Sequence, residues 1–172
     1  QELATHIASE SQGVPLFIHE LVRHAGVSGE GELAHVHISL GQALGRRIAR
    51  LPTPAVSLLE VLAVAGRPIA QETAYRAASV PTEDLATLHA LRAAGLAKSR
   101  GGGPFDLVET YHDRIREVVV AGLPRARLVH VHAGLLAQLE ANDDRDFESL
   151  VAHGLGAERP DRALTYAERA AD

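Results

Sequence analysis

No cysteine occurs in this sequence, so disulfides and thiolate chemistry are excluded and a cytoplasmic address is expected. Tryptophan is absent too, and three Phe and three Tyr are the whole aromatic complement. The apolar content of 46% must therefore come from Leu, Val, Ile and Ala, which excludes disorder and favours packed helices. Lysine is almost missing: Lys98 is the only one, and arginine carries the remaining positive charge. The net charge is -5, which argues against a non-specific binder of nucleic acid or of anionic membranes. No apolar run approaches the length of about 20 residues that spans a bilayer, and no signal peptide opens the chain. A membrane role is not expected. Methionine is also lacking, and the chain starts and stops within helical sequence, at Gln1-Glu2-Leu3 and Ala170-Ala171-Asp172. The expectation is a piece of a longer protein. Its 172 residues suffice for one large or two small domains with a real core.

Taken in order, Leu3 and Ile7 belong to the end of a helix broken at Ser11-Gln12-Gly13. Pro15 suits the first turn of the next helix, whose stripe of Leu16, Phe17, Leu21 and Val22 closes at Gly26. Residues 27–38 are small and acidic with no helical period, which predicts a linker. From 39 the composition shifts. Leu40, Leu44, Ile48 and Leu51 repeat at helical spacing as far as Pro52-Thr53-Pro54. Val56 to Gly66, Gln71 to Ala78, and Thr82 to Ala94 predict three more helices, the last capped by Thr82 with Leu85, Leu88 and Leu91 inside. After Gly95, residues 96–100 and 105–108 flank Gly101-Gly102-Gly103-Pro104, the pattern of a hairpin. Helices followed by a hairpin are the ingredients of a winged helix–turn–helix with the hairpin as its wing. From Pro124 the chain is helical again, in three segments whose small residues suit stacked pairs of the tetratricopeptide type. The predicted architecture is thus mainly α: 1–26 a helical segment, 27–38 a linker, 39–123 a winged helix, and 124–172 the start of a helical-repeat region.

The most informative stretch is Thr110-Tyr111-His112-Asp113, directly after the predicted wing. Thr110 and Asp113 stand at the spacing of a capping box, which predicts a helix starting here with His112 in its first turn. An imidazole at such a position can donate an N–H to an anion. The plain alternative is that Thr110 and Asp113 cap and His112 is incidental.

Other chemistry finds little support. His130 and His132 lie about 200° apart on a helix and cannot share one ion. His35 and His37 lack a carboxylate of fixed geometry, and His19, His24, His89 and His153 each sit singly on predicted helices, where a partly buried, hydrogen-bonded histidine is the usual explanation. No nucleophile elbow and no phosphate-cradling Gly-x4-Gly-Lys loop occurs, so no catalytic activity is expected of this segment. As a DNA-reading helix, 82–92 would present Glu83 and Asp84 to phosphates, which argues against DNA.

In order and spacing, these elements resemble the signal-transduction ATPases with numerous domains, the STAND class of AAA+ relatives that includes the NB-ARC proteins. Gly13-Val14-Pro15-Leu16-Phe17 followed by Glu20-Leu21 looks like the GLPL-type motif of the helical lid, and Tyr111-His112-Asp113 like the MHD-type motif of the winged helix. Leu150-Val151-Ala152-His153 and Arg162-Ala163-Leu164-Thr165-Tyr166-Ala167 resemble the repeat region that follows the ATPase in LuxR-type regulators, adenylate cyclases and serine/threonine kinases of bacteria. Tyr111 stands where the family motif usually has methionine.

The resemblance implies that 1–26 is the end of the ATPase lid. It implies that Pro15 packs near the adenine and that His112 contacts the β-phosphate of ADP, with Gly13, Thr110, Tyr111 and Asp113 in support. ADP or ATP is then a cofactor of the parent protein, held only with an upstream nucleotide-binding domain acting in cis, and this segment alone is not expected to hold nucleotide tightly. A protein partner is expected at the helical region. Two other readings stand beside this one: a nucleotide-independent helical interaction module, and a DNA-binding winged helix.

Overall fold

A computed structural model describes residues 2–11, 13–15, 17–19, 21–22, 39–101 and 106–171. The expected linker at 27–38, the helix closure at Gly26, and the glycine-rich turn from Gly102 with Phe105 lie outside these residues. The chain is mainly helical with one small antiparallel sheet, and it divides into two compact units, 1–50 and 51–172.

The first unit holds α1 (Glu2–Ser11), helical residues 17–19 and 21–22, and α2 (Leu40–Ile48). Apolar spacing decides its core: Phe17, Leu21, Leu40, Ala43 and Leu44 are buried, and Ile7 packs on Leu21 and Ala43. The start of α2 is closed by Ser39 Oγ, which accepts from Gln42 N at 3.3 Å. It is also closed by Glu10 Oε2 of α1, which accepts from Leu40 N at 3.0 Å. Two otherwise orphaned amides are satisfied in this way. The sequence groups α2 with the elements after it, whereas its described partners belong to the first unit.

The second unit is built on α3 (Thr53–Ala65), buried along most of its length through Ala55, Leu58, Leu59, Val61, Leu62 and Ala63. A helix so apolar around its circumference is stable only when neighbours cover it. The covering elements are α4 (Gln71–Ala77), α5 (Leu85–Ala93), β3 (Leu107–Thr110), α6 (Asp113–Gly122) and α7 (Arg125–Ala141). Gly66 ends α3 in the left-handed conformation that glycine adopts without a Cβ penalty.

Between α3 and α4 lies a two-residue strand, β1 (Ile69–Ala70), which carries no signal in the sequence. It pairs antiparallel with β3, and β3 pairs antiparallel with β2 (Ala97–Arg100), giving the order β1-β3-β2. The predicted hairpin is therefore two strands of a three-stranded sheet. Helix α5 begins at Leu85, later than expected, and its cap is Asp84, not Thr82. Asp84 Oδ1 accepts from Ala86 N at 3.1 Å and from Thr87 N at 3.2 Å, and Oδ2 accepts from Thr87 Oγ1 at 2.8 Å. A carboxylate that satisfies two orphan amides outcompetes a threonine two residues earlier. One consequence is that Leu85 lies at the exposed start of the helix, 70% accessible, while Leu88 and Leu91 are buried as expected.

Helix α7 is followed by α8 (Phe147–Gly156) and α9 (Pro160–Ala171). Two glycines set the close approaches. A Cβ at Gly134 would stand 3.0 Å from the Ala77 carbonyl oxygen, and one at Gly154 would stand 3.1 Å from Ala163 N. Leu136, Leu139, Leu150 and Tyr166 form the core of this end, with Phe147 and Val151 packed on it. Arg127 ties α7 back to α3 through Glu60, Nε to Oε2 at 2.7 Å, and through Ser57.

Candidate functional site

Two places in the second unit gather chemistry: the junction of β3 with α6, and the crossing of α7 with α8.

At the first, the strand ladder claims Thr110. It pairs with Ala97, is buried, and is the last residue of β3, so it does not cap the helix. Tyr111 follows, its N–H donating to the Leu96 carbonyl at 3.0 Å and its ring half exposed. The N-cap is His112, in extended conformation, and α6 starts at Asp113. His112 Nδ1 accepts from Arg114 N at 3.2 Å, while its carbonyl oxygen accepts from Ile115 N at 3.0 Å. The expected capping box of Thr110 and Asp113 is thus replaced by a histidine cap, because cross-strand pairing extends through Thr110 and delays the helix. An imidazole whose Nδ1 accepts a bond carries its proton, when neutral, on Nε2. The cap fixes the tautomer. Asp113 is exposed in the first turn, where a negative charge favours the positive end of the helix dipole. Ile115 and Val119 anchor α6 to the core.

Gly13 and Pro15 belong to the first unit. Gly13 has φ +76, so the turn at this point requires a residue free of Cβ strain. The Val14 carbonyl accepts from the N–H groups of Phe17 and Ile18, both at 3.0 Å, which makes Pro15 the first residue of a helical turn. Pro15 is exposed, and Phe17 beside it is buried. Leu16 and Glu20 of the same motif lie outside the described residues.

At the second place, His132 of α7 and His153 of α8 meet Nδ1 to Nδ1 at 2.9 Å, with ring centroids 5.1 Å apart and planes tilted by 52°. His153 is thus a buried, hydrogen-bonded histidine as expected of it, and the unforeseen feature is that its partner is His132. The antiparallel return of α8 along α7 joins residues that no helical period relates, and His153 is only 4% exposed. Burial lowers its pKa to about 4, helped by His132 and the Arg67 guanidinium and opposed by Asp146. Burial also lowers His132. Arg67, on the turn before β1, is ion-paired with Asp146. Burial alone would raise the Asp146 carboxyl, but the Ser149 amide and hydroxyl, with Arg67, hold it below its usual range. Asp146 is also the cap of α8, its Oδ1 accepting from Ser149 N at 3.1 Å. A Cβ at Gly156 would fall 2.4 Å from the His132 ring, so glycine is what gives that imidazole its seat.

Among the described residues, no group of three or more His, Asp or Glu side chains is arranged to hold a metal ion. None of the described helices is long and apolar enough to cross a membrane. Neither the protein-family models, the curated proteins nor the solved structures contain a match to this chain.

Proposed function

We propose that this chain is a regulatory segment of a STAND-type signal-transduction ATPase. In this reading 51–123 is a winged helix that gates nucleotide exchange, and 124–172 begins a helical region that engages a protein partner. The element order α3, β1, α4, α5, β2, β3 supports a winged helix, since β1 pairs with β3 and the β2–β3 hairpin follows the third helix of the group. The close contacts at Gly134 and Gly154 support a helical stack after it.

The observation that carries the reading is the cap of α6. His112 is held at a helix N-terminus with Nδ1 occupied and, when neutral, its donor at Nε2, where an anionic oxygen is favoured by both the N–H and the dipole. ADP bridges an upstream nucleotide-binding domain and His112, with Pro15 against the adenine, and keeps the assembly closed. Exchange for ATP removes that bridge and frees the helical region. The segment itself is not a catalyst; the parent, a LuxR-type regulator, kinase or cyclase, carries the ATPase core and the output.

The test is the nucleotide content of a longer chain that includes the upstream domain, purified without added nucleotide and then denatured. Near-stoichiometric ADP in wild type, and its loss in a folded His112→Ala variant, is the expected result. No nucleotide in either protein, or equal retention in both, overturns the reading. A nucleotide-independent interaction module is the second reading, favoured by Leu155 and Leu164, which are 60% and 62% exposed on α8 and α9. Partner capture by the 172-residue chain, unchanged by nucleotide, distinguishes it. DNA binding is disfavoured because Asp84 and Glu83 stand at the start of α5.

A further inference from the structure

The crossing of α7 and α8 holds a titratable pair that the nucleotide reading does not use. We propose that His132 and His153 form a pH-sensitive latch, which keeps α8 and α9 against α7 while the pair carries at most one added proton and releases them when both rings are charged.

Proton accounting at the 2.9 Å contact sets the threshold. With both rings neutral, one Nδ1–H donates to the other Nδ1, whichever ring is the donor. A first added proton goes to the Nε2 of the donor ring and leaves the bond intact, now charge-assisted. A second has only the accepting Nδ1 left. Protonation there sets two N–H groups and two positive charges face to face, and the contact breaks.

The surroundings make the second proton costly to the closed form. His153 is 4% exposed and buried between helices. The charged groups that act on it come from three sides: His132 on α7, Arg67 on the turn before β1, and Asp146 at the start of its own helix. Arg67 and Asp146 are paired with each other, so the one negative charge is already balanced. Helix α9, which also packs on α8, turns Ala163 and Tyr166 inward, and the Tyr166 hydroxyl donates to Glu140 at 2.8 Å. Gly156 leaves room for the His132 ring at this crossing, since a Cβ there would overlap it. Release therefore frees α8 from α7 and uncovers Leu136, Leu139 and Leu150, a buried cluster available to a partner in acid and hidden at neutral pH.

Amide hydrogen exchange of the 172-residue chain at pH 7 and pH 4.5, corrected for intrinsic rates, reads the latch directly. With His153 at about 4 when closed and near 6.5 when open, protection in α8 is expected to fall by about one to two orders of magnitude in acid and to stay below that of α3, because α8 opens without the rest of the unit. His153→Gln removes the His153 titration, and its α8 amides are expected to lose far less in acid. Equal protection of α8 and α3 in wild type at pH 4.5, or an unchanged acid response in His153→Gln, overturns the proposal. If His153→Gln does not fold at pH 7, imidazole nitrogen shifts of wild type decide. One protonated and one unprotonated Nδ1 at pH 7, with linked titration steps, supports the latch. Independent titration of both rings near pH 6.5 removes it.

Discussion

His112 closes α6 with a ring nitrogen, a task usually given to Ser, Thr, Asp or Asn. Its contribution to the cap and its proposed contact with phosphate can be separated by substitution. His112→Ala removes the acceptor for Arg114 N and is expected to cost about 1 kcal/mol in urea unfolding of the 172-residue chain. His112→Asn keeps a capping oxygen and is expected to cost only a few tenths of that. Equal losses in both would mean that ring packing, not the cap, is what matters for stability. Gly156→Ala is a second test at this scale. The added methyl overlaps the His132 ring, so destabilisation of about 1–3 kcal/mol is expected, and a neutral result would contradict the packing described at that crossing. The motif around His112 was legible because Thr, His and Asp stand together in the chain. His153 was not, because its partner lies 21 residues away and no periodic rule connects them. A signal did exist: His132 and His153 are nearly equidistant from the turn that begins at Asn142, so a helical hairpin folded there brings them opposite each other.

Among the elements, the helices were read from apolar spacing and stops such as Gly66, which the structure bears out for α3, α4, α7, α8 and α9. The start of α5 lies later than apolar spacing and Thr82 indicate, since propensity cannot rank Thr82 against Asp84 without the backbone that each would cap. β1 was missed because two residues cannot display an alternating pattern; only its partner β3 makes it a strand. Similarly, Thr110 reads as a helix cap until the ladder to Ala97 is known. The link between α4 and α5 offers a prediction at this scale. Buried Tyr75 donates to the Asp84 carbonyl at 3.0 Å and accepts from Leu88 N at 3.2 Å, bridging two groups at the spacing of a helical hydrogen bond. Tyr75→Phe leaves both to find each other or go unpaired, so a loss of about 1–2 kcal/mol is expected by thermal or urea unfolding. Unchanged stability would mean that α5 closes its first turn without help.

For the whole molecule, acid is the informative perturbation. His153 and His132 have pKa values lowered by folding, so the unfolded chain binds more protons than the native one as pH falls through 6.5. Stability is therefore expected to be flat above pH 7 and to decline from about 6.5 towards 4, by up to about 3 kcal/mol for His153 alone. Asp146, also lowered, acts in a separate window: its stabilisation is present above its ordinary value of 3.8 and is lost only in stronger acid. Two declines, the upper one much reduced in His153→Gln, are the expected urea-unfolding profile. At the same scale the functional account joins an upstream nucleotide site to the helices after Pro124 by way of one histidine. The measurement that bears most directly on it is the ADP that copurifies with the longer chain carrying His112→Asn, which keeps the cap and loses the imidazole. A melting temperature of the nucleotide-free protein within a few degrees of wild type, with little or no bound ADP, is the expected result. Wild-type levels of ADP in that variant would contradict it and leave His112 as a helix cap alone.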